Sequence, residues 1–330
     1  MKDLIKKLTE AYGPSGFEDG IRDMVRAEIE GHVDELSVDA MGNLVAFKKG
    51  DGTGRKVMIA AHLDEIGVMV THITEKGYLR FTNIGGVHAK TLLGSRVQFA
   101  DGTIGVIYSD KNGDRHKVLP IDKHYIDVGA SSREDCPVQV GDAAGFVDTF
   151  FENGNRIVAK SMDDRIGVVM GIEILRAGYR PMHDLYMVFS VQEEVGVRGA
   201  QAAANYIQPE VGIAIDVTST GDMLNGPEMA VDLGKGPAIK AKDSGMISHV
   251  GLVRLMKKRA ADAGIPYQIE VLVGGSTDAR AMQLAGPGSI AGCVSVPCRY
   301  VHSRSETADI RDVENGIKLF REILTKPIDL

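Results

Sequence analysis

Apolar residues recur at helical spacing where the chain begins: Leu4, Leu8 and Tyr12, then Ile21, Met24, Val25 and Ile29. Two amphipathic helices are therefore expected, broken apart by Gly13-Pro-Ser-Gly16, with Ser15 as the N-cap of the second. Residues 33–38 and 43–47 alternate around Asp39-Ala-Met-Gly42, the pattern of a hairpin. Lys56-Val-Met-Ile-Ala-Ala61 follows as a buried strand and runs into His62-Leu-Asp64. The period then changes. From about Gly67 to Val158 the runs are short and alternating, at 68–72, 78–81, 96–99, 104–108 and 126–128. Turn signals at Asp101-Gly102, Asn112-Gly113 and Asn153-Gly154 punctuate them, and no amphipathic helix intervenes. That texture predicts a small β-barrel or sandwich.

After Lys160 helix and strand patterns alternate: helix 164–177, strand 186–191, helix 198–206, strand 211–215, helix 248–263, strand 269–273, helix 277–284, strand 289–296 and a last helix from about Arg311. Strands alternating with helices imply a parallel sheet covered on both faces. The expected fold class is α/β, a mixed, largely parallel sheet flanked by helices, with an inserted small β-barrel domain. Residues 1–66 and 160–330 would form the α/β domain and residues 67–159 the insertion.

Composition narrows the class. The 330 residues are 44% hydrophobic and 25% charged, ordinary values for a soluble protein with a large core. A net charge of −7 argues against nucleic-acid and anionic-membrane partners. No apolar run approaches the roughly 18 residues of a membrane span, and the first ten residues lack the apolar core of a signal peptide. Cys136, Cys293 and Cys298 are an odd set without a pairing framework, and Cys293 and Cys298 are expected to pack in the core rather than pair on a metal. A reduced, cytoplasmic chain is expected.

The candidate chemistry gathers where buried strands end. The apolar run Tyr186–Val191 drives straight into Glu193 and Glu194. Two ionised carboxylates cannot sit unpaired at a buried strand end, because an isolated buried charge costs several kcal/mol or more. Their partner could be an arginine pair, a helix N-terminus or a metal ion. Other strands end at His62-x-Asp64, at Asp216 and, through 289–296, at Arg299-Tyr-Val-His302. In an open α/β sheet, ligands bind beyond the carboxyl ends of the strands. Asp163 and Asp164 stand where the chain re-enters this domain and could also simply cap a helix. Together these positions supply imidazoles and carboxylates without cysteine, a donor set suited to zinc, cobalt or manganese in an open catalytic site. The carboxylate excess also suits two metals sharing a bridging group.

Five segments carry a resemblance: Ala61-His-Leu-Asp-Glu-Ile-Gly67, Ser161-Met-Asp-Asp-Arg-Ile-Gly167, Val191-Gln-Glu-Glu-Val-Gly-Val-Arg-Gly199, Ala214-Ile-Asp-Val-Thr218 and Arg299-Tyr-Val-His-Ser303. With Gly13-Pro-Ser-Gly16 and Ile126-Asp-Val-Gly-Ala-Ser-Ser132 they resemble, in order and from end to end, the glutamyl-aminopeptidase/TET family of metallopeptidases, also known as cellulase M-like proteins. The resemblance implies a phosphorylase/hydrolase-like fold of the zinc-peptidase type and a co-catalytic site with two divalent ions per subunit, zinc or cobalt before manganese. It implies that His62 and Asp216 bind one metal, Glu194 and His302 the other, and that Asp163 bridges both. Asp64 would orient His62 from behind, and Glu193 would be the general base. It further implies peptide substrates and a homo-oligomer, commonly a tetrahedral dodecamer built from dimers, with the insertion making the contacts.

Asp164 and Arg165 are read as serving helix start and charge pairing rather than chemistry. Gly274-Gly-Ser-Thr-Asp-Ala-Arg280 is a turn and helix start that either faces substrate or merely caps. His72, His88, His116, His124 and His249 match no ligand position, although His88 could reach a neighbouring subunit's site. Three rival functions remain at this level. A deacylase or carboxypeptidase would share the chemistry, and free-amine dependence separates it. A glycoside hydrolase would need two carboxylates flanking a sugar bond, and the chain has no tryptophan for a sugar platform. A non-catalytic assembly module would have lost a ligand or the base, yet every expected position is filled.

Overall fold

The computed structural model describes residues 1–110 and 117–330. The expected turn at Asn112-Gly113 and the residue His116 lie outside the described residues. Two helices open the chain, α1 (Lys2–Thr9) and α2 (Asp19–Ile29). Ser15 does not cap the second. Glu18 occupies the cap position, and the Ser15 hydroxyl is turned inward to Asp64. The hairpin β1 (Glu35–Val38) and β2 (Leu44–Lys48) leads to the buried strand β3 (Lys56–His62).

Six strands then close a barrel: β4 (Gly67–Ile73), β5 (Leu79–Ile84), β6 (Arg96–Phe99), β7 (Ile104–Ser109), β8 (His124–Asp127) and β9 (Ala143–Val147), in the order 4-5-8-7-6-9. Its own core includes Val68, Val70, Leu79, Phe81, Val97, Ile107 and Ile126. Closure leaves no free sheet edge, which is how so short a set of strands becomes a stable unit. The next two strands, β10 (Phe151–Asn153) and β11 (Arg156–Ala159), pair within the large sheet, so the expected border at 159 lies two strands beyond the last barrel strand.

The rest of the chain supplies α3 (Met162–Arg176), β12 (Asp184–Ser190), α4 (Arg198–Ile207), β13 (Val211–Thr218), β14 (Ala238–Lys242), α5 (Val250–Asp262), β15 (Gln268–Val271), α6 (Asp278–Gln283), β16 (Ile290–Arg299), β17 (Glu306–Asp309) and α7 (Ile310–Leu324). The large sheet has 11 strands along the order 1-2-12-3-13-16-17-11-10, with β14 and β15 branching from β16. Strands β12, β3, β13 and β16 run parallel at its centre, and antiparallel strands flank them. The class is thus α/β with a mixed sheet and a closed barrel.

Alternation along the central strands sorts the two faces. Val57, Ile59, Ala61, Met187, Phe189, Ile213 and Ile215 face one layer, with α1, α2, α3 and α7. Met58, Ala60, Val188, Ala214, Ala291 and Cys293 face the other, where the small side chains Ala203, Ala204 and Ala279 let α4 and α6 approach closely. Cys293 and Cys298 belong to opposite layers, as five-residue spacing along a strand requires, and so cannot share an ion.

Candidate active site

Strand parity aims the first side chains. His62 continues the series Met58, Ala60, and Asp216 continues Ala214, so both point to the α4/α6 side of the sheet. They lie two residues beyond the paired residues Ala60 and Ala214 of adjacent parallel strands. In the neighbouring strand Ser190 pairs with His62, and Glu193 and Glu194 follow in the turn after it.

Asp163 stands between two imidazoles. Its Oδ1 is 3.0 Å from His62 Nε2 and its Oδ2 is 3.3 Å from His302 Nε2. His302 Nε2 is also 3.1 Å from Glu194 Oε2, while Glu193 Oε2 is 4.0 Å from His62 Nε2. His62, Asp163 and Glu194 each offer a ligand atom within 4.8 Å of the other two. Asp216 lines the same cavity of about 510 Å³, together with Glu193, Glu194, Asp163 and His302. Asp64 stands behind. Its backbone carbonyl is 3.1 Å from His62 Nδ1 and its carboxyl oxygen 3.5 Å away.

Charge in this pocket is unbalanced. Burial above all, reinforced by neighbouring carboxylates, raises Glu193 and Asp216 well above the ordinary carboxyl range; Glu194 is raised for the same reasons. Burial opposes charge on the two imidazoles, yet Asp163 and Asp64 lift His62 well above its usual value, and Asp163 with Glu194 lifts His302 to about 11. The site therefore favours positive charge at its centre. Glu194 Oε1 is buried without a hydrogen-bond partner. Imidazoles and carboxylates without thiolate, with an orphaned carboxylate oxygen among them, fit a divalent cation such as zinc, cobalt or manganese.

Several supports escaped the sequence. The Asp64 carboxylate accepts the backbone N–H of Glu193 at 2.9 Å, that of Glu194 at 3.1 Å, and the Ser15 hydroxyl at 2.6 Å. It thus fixes the Glu193–Glu194 turn as well as standing beside His62. Glu306 accepts the N–H of His302 at 2.7 Å and that of Asp163 at 3.0 Å, tying two distant segments together. Burial, then the charge of Asp163, pushes this carboxyl up to about 8. Behind β13, Lys240 pairs with Glu270 at 2.8 Å, and the Thr218 hydroxyl donates to the same carboxylate at 2.8 Å. Left-handed backbone at Ser161, Gln192, Val197, Tyr300 and His302 surrounds the site, and such conformations are costly for residues other than glycine.

The barrel also reaches in. A Cβ on Gly86 would overlap the His302 imidazole, and one on Gly85 would come within 3.1 Å of Glu194. The loop between β5 and β6 thus lies directly on two of the candidate ligands, and His88 of this loop lines the cavity of its own chain. Asp164 accepts the N–H of Gly167 and the N–H of His62, and Arg165 donates to the Leu8 carbonyl at 2.7 Å beside Glu65. In the segment 274–280, Thr277 caps α6, while Gly274, Gly275, Ser276 and Arg280 line the cavity. His124 is buried in the barrel, and His72 and His249 are exposed.

A family model described as M42 glutamyl aminopeptidase matches residues 42–319. The chain belongs to that family. Its members are aminopeptidases, hydrolases of peptide bonds, and metal-dependent. A protein of Acetivibrio thermocellus with a provisional aminopeptidase name is 44% identical over 326 residues, covering 98% of each chain. An aminopeptidase from the archaeon Desulfurococcus kamchatkensis has a TM-score of 0.94 at 42% identity, covering 98% of this chain and 93% of that one. The Pyrococcus horikoshii TET1 peptidase, described as assembling into a tetrahedron or a large octahedral shell, has a TM-score of 0.90 at 36% identity, covering 98% and 99%.

Proposed function

We propose that this family member is a co-catalytic aminopeptidase that removes N-terminal amino acids from peptides with two divalent cations per subunit. The observation that carries the reading is Asp163, whose two carboxylate oxygens face two different imidazoles. His62 and Asp216 would hold one ion, Glu194 and His302 the other, with Asp163 shared. Zinc or cobalt suits this donor set first and manganese next. When bound, such ions acidify a water and polarise the scissile carbonyl. Glu193 takes the proton of the attacking water and returns it to the departing amine. Asp64 orients His62 and holds the Glu193–Glu194 turn, so the proposed base and ligand keep a fixed offset. We assign the protein to the cytoplasm on its scarce, unpaired cysteines, and expect a homo-oligomer, a tetrahedral dodecamer like the assemblies of its relatives, with the barrel making contacts.

The test uses metal-stripped protein reconstituted with zinc, cobalt or manganese and assayed on aminoacyl p-nitroanilides and their N-acetylated counterparts. Free-amine substrates should be cleaved only after metal is restored, and acetylated ones refused. Cleavage of the acetylated substrates at comparable rates would make the protein a deacylase instead.

A further inference from the structure

We propose that Glu18 is a positioning residue for the reaction: its carboxylate fixes the backbone at Gln192 and thereby sets where Glu193 stands in the cavity. This rests on the reading of Glu193 as the base. The turn that carries Glu193 and Glu194 lies beyond the end of β12, so its amides have no strand partner. Four consecutive N–H groups are received by side chains instead: Val191 by Asn43 at 3.0 Å, Gln192 by Glu18 at 3.0 Å, and Glu193 and Glu194 by Asp64 at 2.9 and 3.1 Å. A buried amide left unpaired is costly, so each acceptor is part of what holds the turn. Gln192 is the link that most needs holding. Its backbone is left-handed, with φ 55°, a conformation that residues other than glycine keep only when their surroundings impose it. Glu18 supplies that constraint at the residue immediately before Glu193.

Helix capping does not account for this side chain. Glu18 stands at the N-cap position of α2, yet its carboxylate caps no amide of the helix. One oxygen, Oε1, takes the Gly16 N–H at 2.8 Å and the Gln192 N–H at 3.0 Å, joining its own segment to one 174 positions away. The carboxyl is buried and has no ion-pair partner among the described residues; burial, then the charge of Asp64, pushes it up to about 7. A buried acid without a cation is poor material for a core, and what it contributes here is the hold on Gln192. The segment that bears it is anchored to the same place. The Ser15 hydroxyl donates to Asp64 at 2.6 Å, the Ser15 N–H to the Glu65 carbonyl at 3.3 Å, and the Glu65 N–H to the Gly13 carbonyl at 3.1 Å. Residues 13–18 therefore brace the turn twice, directly through Glu18 and by way of Asp64 through Ser15. Glu18 is not among the residues lining the cavity, so it acts on Glu193 without touching substrate.

The experiment compares Glu18→Met, which keeps the volume and removes the acceptor, with Glu18→Gln, which keeps an acceptor oxygen; Glu18→Ala is the second variant if Glu18→Met does not fold. Each is made in wild type and in the Glu193→Gln background, loaded with metal, and assayed on the aminoacyl p-nitroanilide that wild type cleaves best. Glu18→Met should lower kcat by about ten- to a hundredfold, the order expected for a reacting group misplaced by up to about 1 Å. KM and metal per chain should stay near wild type, because Asp64 still holds Glu194. Glu18→Gln should recover most of the loss. In the Glu193→Gln background, Glu18→Met should lower the residual kcat no further, since its effect passes through that residue. Hydrogen exchange read by mass spectrometry reports the hold without turnover: the peptide spanning 191–199 should exchange faster in Glu18→Met while barrel and central strands stay protected. An unchanged kcat in Glu18→Met, an equal fall in both backgrounds, or no recovery in Glu18→Gln overturns the proposal. Wild-type turnover in Glu193→Gln would sink the base reading and with it the purpose assigned to Glu18, whereas unchanged exchange at 191–199 would sink the hold itself, so the two failures are read separately.

Discussion

Glu193 and Glu194 are adjacent in sequence and alike in chemistry, yet their surroundings separate them. Glu194 puts one oxygen 3.1 Å from His302 Nε2 and leaves the other buried and unpartnered, the state of a carboxylate that awaits a cation. Glu193 comes no nearer than 4.0 Å to His62, and burial holds its proton affinity high. Both hang from the same clamp, since each backbone N–H is received by a different oxygen of Asp64. Replacing Glu193 with Gln keeps the shape and the turn and removes only the proton acceptor. Turnover should fall by about 10²–10⁴-fold, the usual worth of a general base, with the metal content per chain unchanged in elemental analysis. Near-normal kcat would take Glu193 out of that role.

At the scale of elements, much of the geometry follows from strand parity. His62 and Asp216 share a face because they continue Met58-x-Ala60 and Ala214 at intervals of two, and that was readable from the alternation of the run. The four central strands and the helices between them were legible for the same reason. What escaped lies in contacts without period. Glu306 is 143 positions from the Asp163 amide it accepts, and no local signal marks a buried carboxylate that serves backbone N–H groups. Ser15 looked like a helix cap because a hydroxyl before an apolar run usually is one, and tertiary contact with Asp64 won instead. Strands β10 (Phe151–Asn153) and β17 (Glu306–Asp309) are short and mostly polar and so present no apolar run, and β14 (Ala238–Lys242) is equally brief. Gly86 was equally silent, since its meaning is the imidazole packed against it. Gly86→Ala should force His302 or the loop to move, lowering metal bound per chain and kcat while the far-ultraviolet circular dichroism stays native. Unaltered metal affinity would show that the loop yields without disturbing the ligand.

Across the whole molecule, the crossing from sheet to barrel, at Glu65, is fastened to the segment that enters α3, at Lys160. Lys160 and Glu65 pair at 2.5 Å, both buried, and Lys160 also donates to the Ala11 carbonyl at 3.0 Å while Glu65 accepts the Gly13 N–H at 3.0 Å. Barrel, sheet and N-terminal segment therefore meet in a single ionic knot next to Ser161 and Asp163. Removing one partner of a buried pair leaves the other charge without compensation, which costs about 3–5 kcal/mol. Glu65→Ala should destabilise the chain by that order in urea unfolding, with Glu65→Ala/Lys160→Met recovering part of the loss. A double-variant loss equal to the sum of the losses in Glu65→Ala and Lys160→Met would mean the pair is not coupled.

The Gly85–Gly86 loop bears on how such a protein could be trimmed or rebuilt. An engineer seeking a minimal hydrolase would cut out the barrel as a removable module and splice the α/β halves together. The spliced product would lack the ceiling over His302 and Glu194, and the cavity would become an open trench. Catalytic half and accessory half are a division of the polypeptide, not of the reaction vessel, whose walls come from both.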